Sequence, residues 1–87
     1  MKKKILIFII TYKSSYRVVQ VMKKIPFDHL KKHYYELYIS DDCSNDDTIN
    51  YIKQLKLKYK AKLNTNINNV NLGYGGNIKK CLNFAFK

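Results

Sequence analysis

From Lys4 the chain runs Ile5-Leu6-Ile7-Phe8-Ile9-Ile10, a short unbroken apolar segment rich in β-branched residues, and turns polar at Thr11. Such a run predicts a strand covered on both faces, as in a parallel sheet, and we expect it to be the central strand. Between Ser15 and Ile25 the pattern changes period. Val18, Val21, Met22 and Ile25 recur at i, i+3, i+4 and i+7, with Lys23 and Lys24 off the stripe, which predicts an amphipathic helix ended by Pro26. Glu36 to Ser40 reads as a second strand with an abrupt polar stop at Asp41-Asp42. Ser44 or Asn45 then caps a helix whose first turn holds Asp46 and Asp47 and whose buried stripe is Ile49, Ile52, Leu55 and Tyr59. The segment 61–67 is an Asn-rich third strand near a sheet edge. Asn68 to Gly76 has turn chemistry, and Ile78, Cys81, Leu82 and Ala85 form the last helical stripe.

The order is therefore β-α-β-α-β-α, an α/β pattern that predicts a Rossmann-like, mostly parallel sheet with helices wound on both faces. In such sheets ligands lie beyond the carboxyl ends of the strands. Thr11-Tyr12, Asp41-Asp42 and the approach to Gly73-Tyr74-Gly75-Gly76 would converge there. The final helix leaves the half-sheet open, and an open apolar edge invites pairing with another chain.

At 87 residues the chain holds one domain at most, and 46% hydrophobic residues are too many for a solvated disordered chain. Two cysteines, Cys43 and Cys81, make no disulfide framework and point to a reducing, cytoplasmic compartment. The apolar run after Met1 is shorter than a signal peptide requires, and none spans a bilayer, so the chain is expected to be soluble or at most peripheral at the inner face of a membrane. A net charge of +11 raises nucleic-acid binding as a reading, but Arg17 is the only arginine and the lysines are scattered. No nucleic-acid partner is expected.

The acids are more informative. Of six carboxylates, Asp41, Asp42, Asp46 and Asp47 fall within one seven-residue window. Asp46 and Asp47 suit a helix start, whereas a strand-tip carboxylate such as Asp42 can accept an N–H from a base or a hydroxyl from a ribose. Gly73 to Asn77 fits neither the dinucleotide fingerprint nor the P-loop, because Ile78 stands where the last glycine belongs and no Lys-Ser/Thr follows. What survives is a glycine-rich turn at a helix N-terminus, able to meet an anion or serving only as a tight turn. His29 and His33, spaced i and i+4, lack the further ligands of a metal site.

Three segments in order carry a family resemblance: Ile9-Ile10-Thr11-Tyr12-Lys13, Asp41-Asp42-Cys43-Ser44-Asn45-Asp46-Asp47-Thr48, and Asn71-Leu72-Gly73-Tyr74-Gly75-Gly76-Asn77. They resemble the P-T-Y-N, D-D-x-S-x-D-x-T and N-x-G-x-G-G-N patterns that open inverting family 2 glycosyltransferases. The last is similar to the branch of dolichyl-phosphate mannose synthase and bacterial lipid-linked sugar transferases. The resemblance implies that residues 1–87 are a single partial domain, the N-terminal nucleotide-binding half of a GT-A fold. It implies that Tyr12 lies along the base of a UDP-, GDP- or dTDP-sugar and that Asp42 accepts from the base's ring N–H. Thr11 and Asp41 would support that pocket, and Gly73, Gly75, Gly76 and Asn77 would shape its floor.

The family pattern is not kept everywhere: Ile10 replaces Pro, Lys13 replaces Asn, and Cys43 stands where Gly is frequent. In the family a D-x-D segment holds Mn²⁺ or Mg²⁺, the acceptor is a saccharide hydroxyl or a lipid-linked phosphate, and a later carboxylate deprotonates the acceptor hydroxyl where the acceptor needs it. Neither lies within these residues, so the resemblance implies nucleotide-sugar binding without catalytic or metal residues, and no transfer by this chain alone. Two other readings are a truncated, non-catalytic basic module that self-associates through its open edge, and, last, a nucleic-acid-binding protein.

Overall fold

The computed structural model describes residues 2–86 and arranges them as β1 (Lys4–Thr11), α1 (Arg17–Lys23), α2 (Phe27–Leu30), β2 (Tyr34–Asp41), α3 (Thr48–Tyr59), a 3₁₀ turn (Lys60–Lys62), β3 (Leu63–Ile67) and α4 (Gly73–Ala85). The sheet is all parallel, in the order β1-β2-β3. Lys4 pairs with Tyr34 and Thr11 with Asp41 at the two ends of one ladder; Leu37 pairs with Leu63 and Asp41 with Ile67 on the other. This is the α/β, partly Rossmann-like architecture that the alternation of periods predicts.

Side chains alternate between the two faces of each strand. On one face Ile9, Leu37, Ile39 and Leu63 pack against Val18 and Met22 of α1 and Ile52 and Leu55 of α3. Each such aliphatic side chain, fully buried, contributes roughly 1.5–3 kcal/mol. On the opposite face α4 lies over β2 and β1. There Phe84 stacks on Tyr38 with centroids 4.3 Å apart, Phe8 meets the same ring edge-on at 6.3 Å, and Cys81 is buried. Burial pushes the Cys81 thiol up, and it raises Tyr38 likewise, with the Cys81 charge adding to the effect.

Several expectations need correction. β1 is an edge strand and β2 is central, with every residue from Leu37 to Asp42 buried while Ile5, Leu6, Ile7, Phe8 and Ile10 are half-buried. An apolar run reports that both faces of a strand are covered; it does not report whether both edges are paired. In α1 the buried side chains are Val18 and Met22, with Ile25 half-buried, and Val21 points outward. That helix stops at Lys23, short of Ile25 and Pro26, and Pro26 instead takes the N-cap position of the short α2, which the sequence pattern does not disclose.

The first turn of α3 holds no acid: Asp47 occupies the N-cap position, and Ser44 and Asn45 lie before it. In α3 the stripe holds, with Ile52 and Leu55 buried and Ile49 and Tyr59 half-buried. β3 is an edge strand, as its asparagines indicate. α4 begins at Gly73, so Gly75 and Gly76 are helical and not part of a turn. Its buried residues are Asn77 and Cys81, with Ile78 and Phe84 half-buried, while Leu82 and Ala85 are exposed, because the helix turns Asn77 into the sheet to bond Ser40.

Candidate functional site at the carboxyl edge of the sheet

The three segments singled out in the sequence meet at the carboxyl ends of the strands and are tied together by side chains. Asp41 ends β2 fully buried. Its Oδ1 accepts from the Thr11 hydroxyl at 2.6 Å and from the Ser44 hydroxyl at 2.7 Å, and its Oδ2 accepts from the Ser44 N–H at 2.7 Å. A buried carboxylate is tolerated only when such donors replace water. Asp41 thus fastens the end of β1 to the loop after β2.

Asp42, one residue on, projects to the other face and is 4% exposed. Its Oδ1 accepts from the Leu72 N–H at 2.7 Å and from Asn68 Nδ2 at 3.1 Å, and its Oδ2 from the Gly73 N–H at 2.8 Å. Leu72 and Gly73 open α4, so this carboxylate caps the positive end of that helix. Burial pushes the Asp42 carboxyl up, but the N–H groups of Leu72, Asn68 and Gly73 together outweigh it and hold the group below its ordinary value. The α4 N-terminus, expected to offer free N–H groups to an external anion, has already given two of them to Asp42. A carboxylate has about four acceptor positions, of which three are filled here.

Behind Asp42 lies a polar network that strand and helix share. Ser40 donates to Asn77 Oδ1, Asn77 Nδ2 donates to the Ser40 carbonyl at 2.8 Å, and Asn68 Nδ2 reaches Asn77 Oδ1 at 3.3 Å. Asn66 Nδ2 donates to Ser40 Oγ and to Asn68 Oδ1. Asn77 is therefore an anchor of α4 turned into the sheet, behind the edge rather than on its surface. Ser40, Asn66 and Asn68 were not among the candidate residues. The signal available for them was a serine at the end of an otherwise apolar strand, followed by asparagines at alternate positions of the next.

The loop after β1 is held from the other side. The Lys13 N–H donates to Ser44 Oγ and the Ser15 N–H to Thr48 Oγ1, each at 2.7 Å. This holds Lys13 (φ 50°), Ser15 (φ 51°) and Cys43 (φ 62°) in the left-handed region, which non-glycine residues enter at a cost. Asp46 accepts from the Thr48 N–H at 2.9 Å; Thr48, through its hydroxyl and then its N–H, lowers the Asp46 carboxyl against the opposing effect of burial.

Open to a ligand are Tyr12, 48% exposed with the Lys13 ammonium 5.3 Å from its ring, and the first turn of α4, with one acceptor position of Asp42 left unfilled. Gly73 has φ +76°, a conformation that favours glycine; a Cβ at Gly76 would stand 2.7 Å from the Leu72 Cβ, so the close approach there excludes a side chain. Gly75 is different: a Cβ would meet nothing within 4 Å. The fold gives Gly75 no reason to lack a side chain.

Among the described residues no three of His, Cys, Asp and Glu come together as metal ligands. Asp41 and Asp42 accept from neutral N–H and O–H donors, an arrangement that does not fit a cation, and His33 Nδ1 accepts from the Lys3 N–H far from this edge. Among the described residues no helix is long and apolar enough to cross a membrane. No protein-family model and no curated protein matches the chain.

Proposed function

We propose that this edge binds the nucleotide part of a nucleotide-diphosphate sugar, as the start of an inverting family 2 glycosyltransferase of GT-A type does. The observation that carries the reading is that the three resembling segments, far apart in sequence, are interlocked at one edge by Thr11–Asp41, Lys13–Ser44 and Asp42–Gly73 contacts. A second observation supports it. Two of the three departures from the family pattern, Lys13 for Asn and Cys43 for Gly, fall at positive φ, where asparagine and glycine are the residues that fit.

In this reading the Tyr12 ring lies along the base, the remaining acceptor position of Asp42 receives its ring N–H, and Gly75 leaves room for backbone approach to the ligand. Thr11, Asp41, Gly73, Gly76 and Asn77 hold those groups in place. No bond-making step is assigned to these residues. Inversion at the anomeric carbon by an acceptor hydroxyl or polyprenyl phosphate, and the Mn²⁺ or Mg²⁺ that neutralises the leaving diphosphate, belong to D-x-D and base carboxylates that the described residues do not supply.

The test is a titration with UDP and GDP, with and without Mn²⁺, of wild type, Tyr12→Ala and Gly75→Ala. Both substitutions spare the buried network, and Gly75→Ala should raise helix stability by roughly 0.5–1 kcal/mol. A response to one nucleotide that either variant weakens about tenfold or more supports the site, such a loss corresponding to about 1.4 kcal/mol. Equal affinity in all three chains, or no response from a cooperatively melting protein, removes it.

A further inference from the structure

The end of the sheet opposite the candidate site has a different chemistry. Parallel pairing sets Lys4 directly beside Tyr34 at the amino ends of β1 and β2, and the 3₁₀ turn brings Lys62 to the same end before β3. An open groove of about 840 Å³ runs between them, with Lys4, Leu6, Tyr34, Lys62, Phe84 and Ala85 in its lining. The Lys2 ammonium lies 5.0 Å from the Tyr34 ring centre and that of Lys62 lies 4.6 Å from the Tyr35 ring centre. Tyr34 is 58% exposed, and Phe86, next along from the groove, is 84% exposed. Glu36 is the one acid in the lining, and it accepts from Asn64 Nδ2 at 3.3 Å. Asp41, Asp42, Asp46 and Asp47, four of the six acids, lie toward the other end.

We propose that this amino end of the sheet docks on an anionic lipid bilayer. Clustered lysines are attracted to a negatively charged membrane surface, and an exposed phenylalanine and tyrosine among them can enter the boundary between headgroups and acyl chains. Three features favour a bilayer over a nucleic acid. The cations around the groove are lysines, with Arg17 placed in α1, whereas phosphate recognition in nucleic acids favours the arginine fork. Lys2 and Lys62 already cover one face of the rings on which bases would stack. Phe86 exposes an apolar ring with no use in binding a phosphate backbone.

The experiment is sedimentation of the full chain with vesicles of phosphatidylcholine alone and of phosphatidylcholine mixed with phosphatidylserine, across a salt series. Binding should appear only with phosphatidylserine and fade as ionic strength approaches about 1 M, where the screening length is ~3 Å. The double variant K2Q/K62Q should lose roughly 25-fold in partitioning, about a factor of five per lysine. F86S should also weaken it. K53Q/K79Q, with the same change in charge on α3 and α4, should retain wild-type partitioning, and unchanged thermal melts would confirm that every variant is folded.

Equal loss in K53Q/K79Q would mean that net charge and not this surface attracts the vesicles, and it would overturn the proposal. So would no binding to phosphatidylserine vesicles. Salt-sensitive binding of a labelled single-stranded RNA that K2Q/K62Q abolishes, without vesicle binding, would overturn it in favour of a nucleic-acid partner.

Discussion

The residues that shape the carboxyl edge are those whose backbone departs from regular geometry. Lys13 and Cys43 sit at positive φ because the bonds from Ser44, and through it from Asp41, hold their loops in place. A side chain in that conformation costs roughly 1–2 kcal/mol, part of which glycine returns through the greater freedom of the unfolded chain. Cys43→Gly and Lys13→Asn should therefore each stabilise the fold by roughly 0.5–1 kcal/mol, a rise in melting temperature of roughly 2–8 °C for a domain this small. A fall in melting temperature for Cys43→Gly would show that the weak Cys43 Sγ contact to the Asn69 carbonyl, at 3.4 Å, outweighs the strain. Sequence alone gives no sign of these angles. It shows which residue types occupy the positions and not which bonds hold them there.

At the scale of elements, the decisive junction is between the end of β2 and the start of α4, more than thirty residues apart in sequence. Asp42 caps the helix while Ser40 and Asn77 lock it to the strand. Because the folded-state carboxyl of Asp42 lies below its ordinary value of 3.8, its contribution to stability is complete above that value and is lost as the pH falls through the folded one. Melting temperature should thus drop below about pH 4 in wild type, and the part of that drop due to Asp42 should vanish in Asp42→Asn, which is neutral at every pH. Identical pH profiles for the two proteins would mean that the cap contributes nothing through its charge. The elements themselves were legible from periodicity, as the Ile52 and Leu55 stripe of α3 illustrates. The helix N-terminus was misread because its glycines look like a turn until Asp42 is known to satisfy the first two N–H groups.

For the whole molecule, the decisive feature is the outer edge of β1, which pairs with no other strand among the described residues. Its length and apolar content make it a template for another chain, and the net charge of +11 opposes that association. Sedimentation velocity should therefore show monomers at low salt and larger species as salt screens the lysines. Ile10→Lys, placing a cation beside that edge, should restore monomers. Association that salt weakens instead would locate it in charged groups and away from β1. If nucleotides leave both the association and the melting temperature untouched, the self-associating module becomes the better account of the chain.

The sequence by itself determined the alternation of strands and helices, because burial imposes a period of 2 on one and about 3.6 on the other and both are local. It also marked Thr11, Asp41 and Asp42 as polar residues at the tips of apolar strands. Only the tertiary structure decided that β2 is central, that α4 crosses to the opposite face from α1 and α3, and that both aspartates are enclosed by donors. Strand order and hydrogen-bond partners depend on segments distant in the chain, and the free energy of such contacts is set by what they meet rather than by what they are.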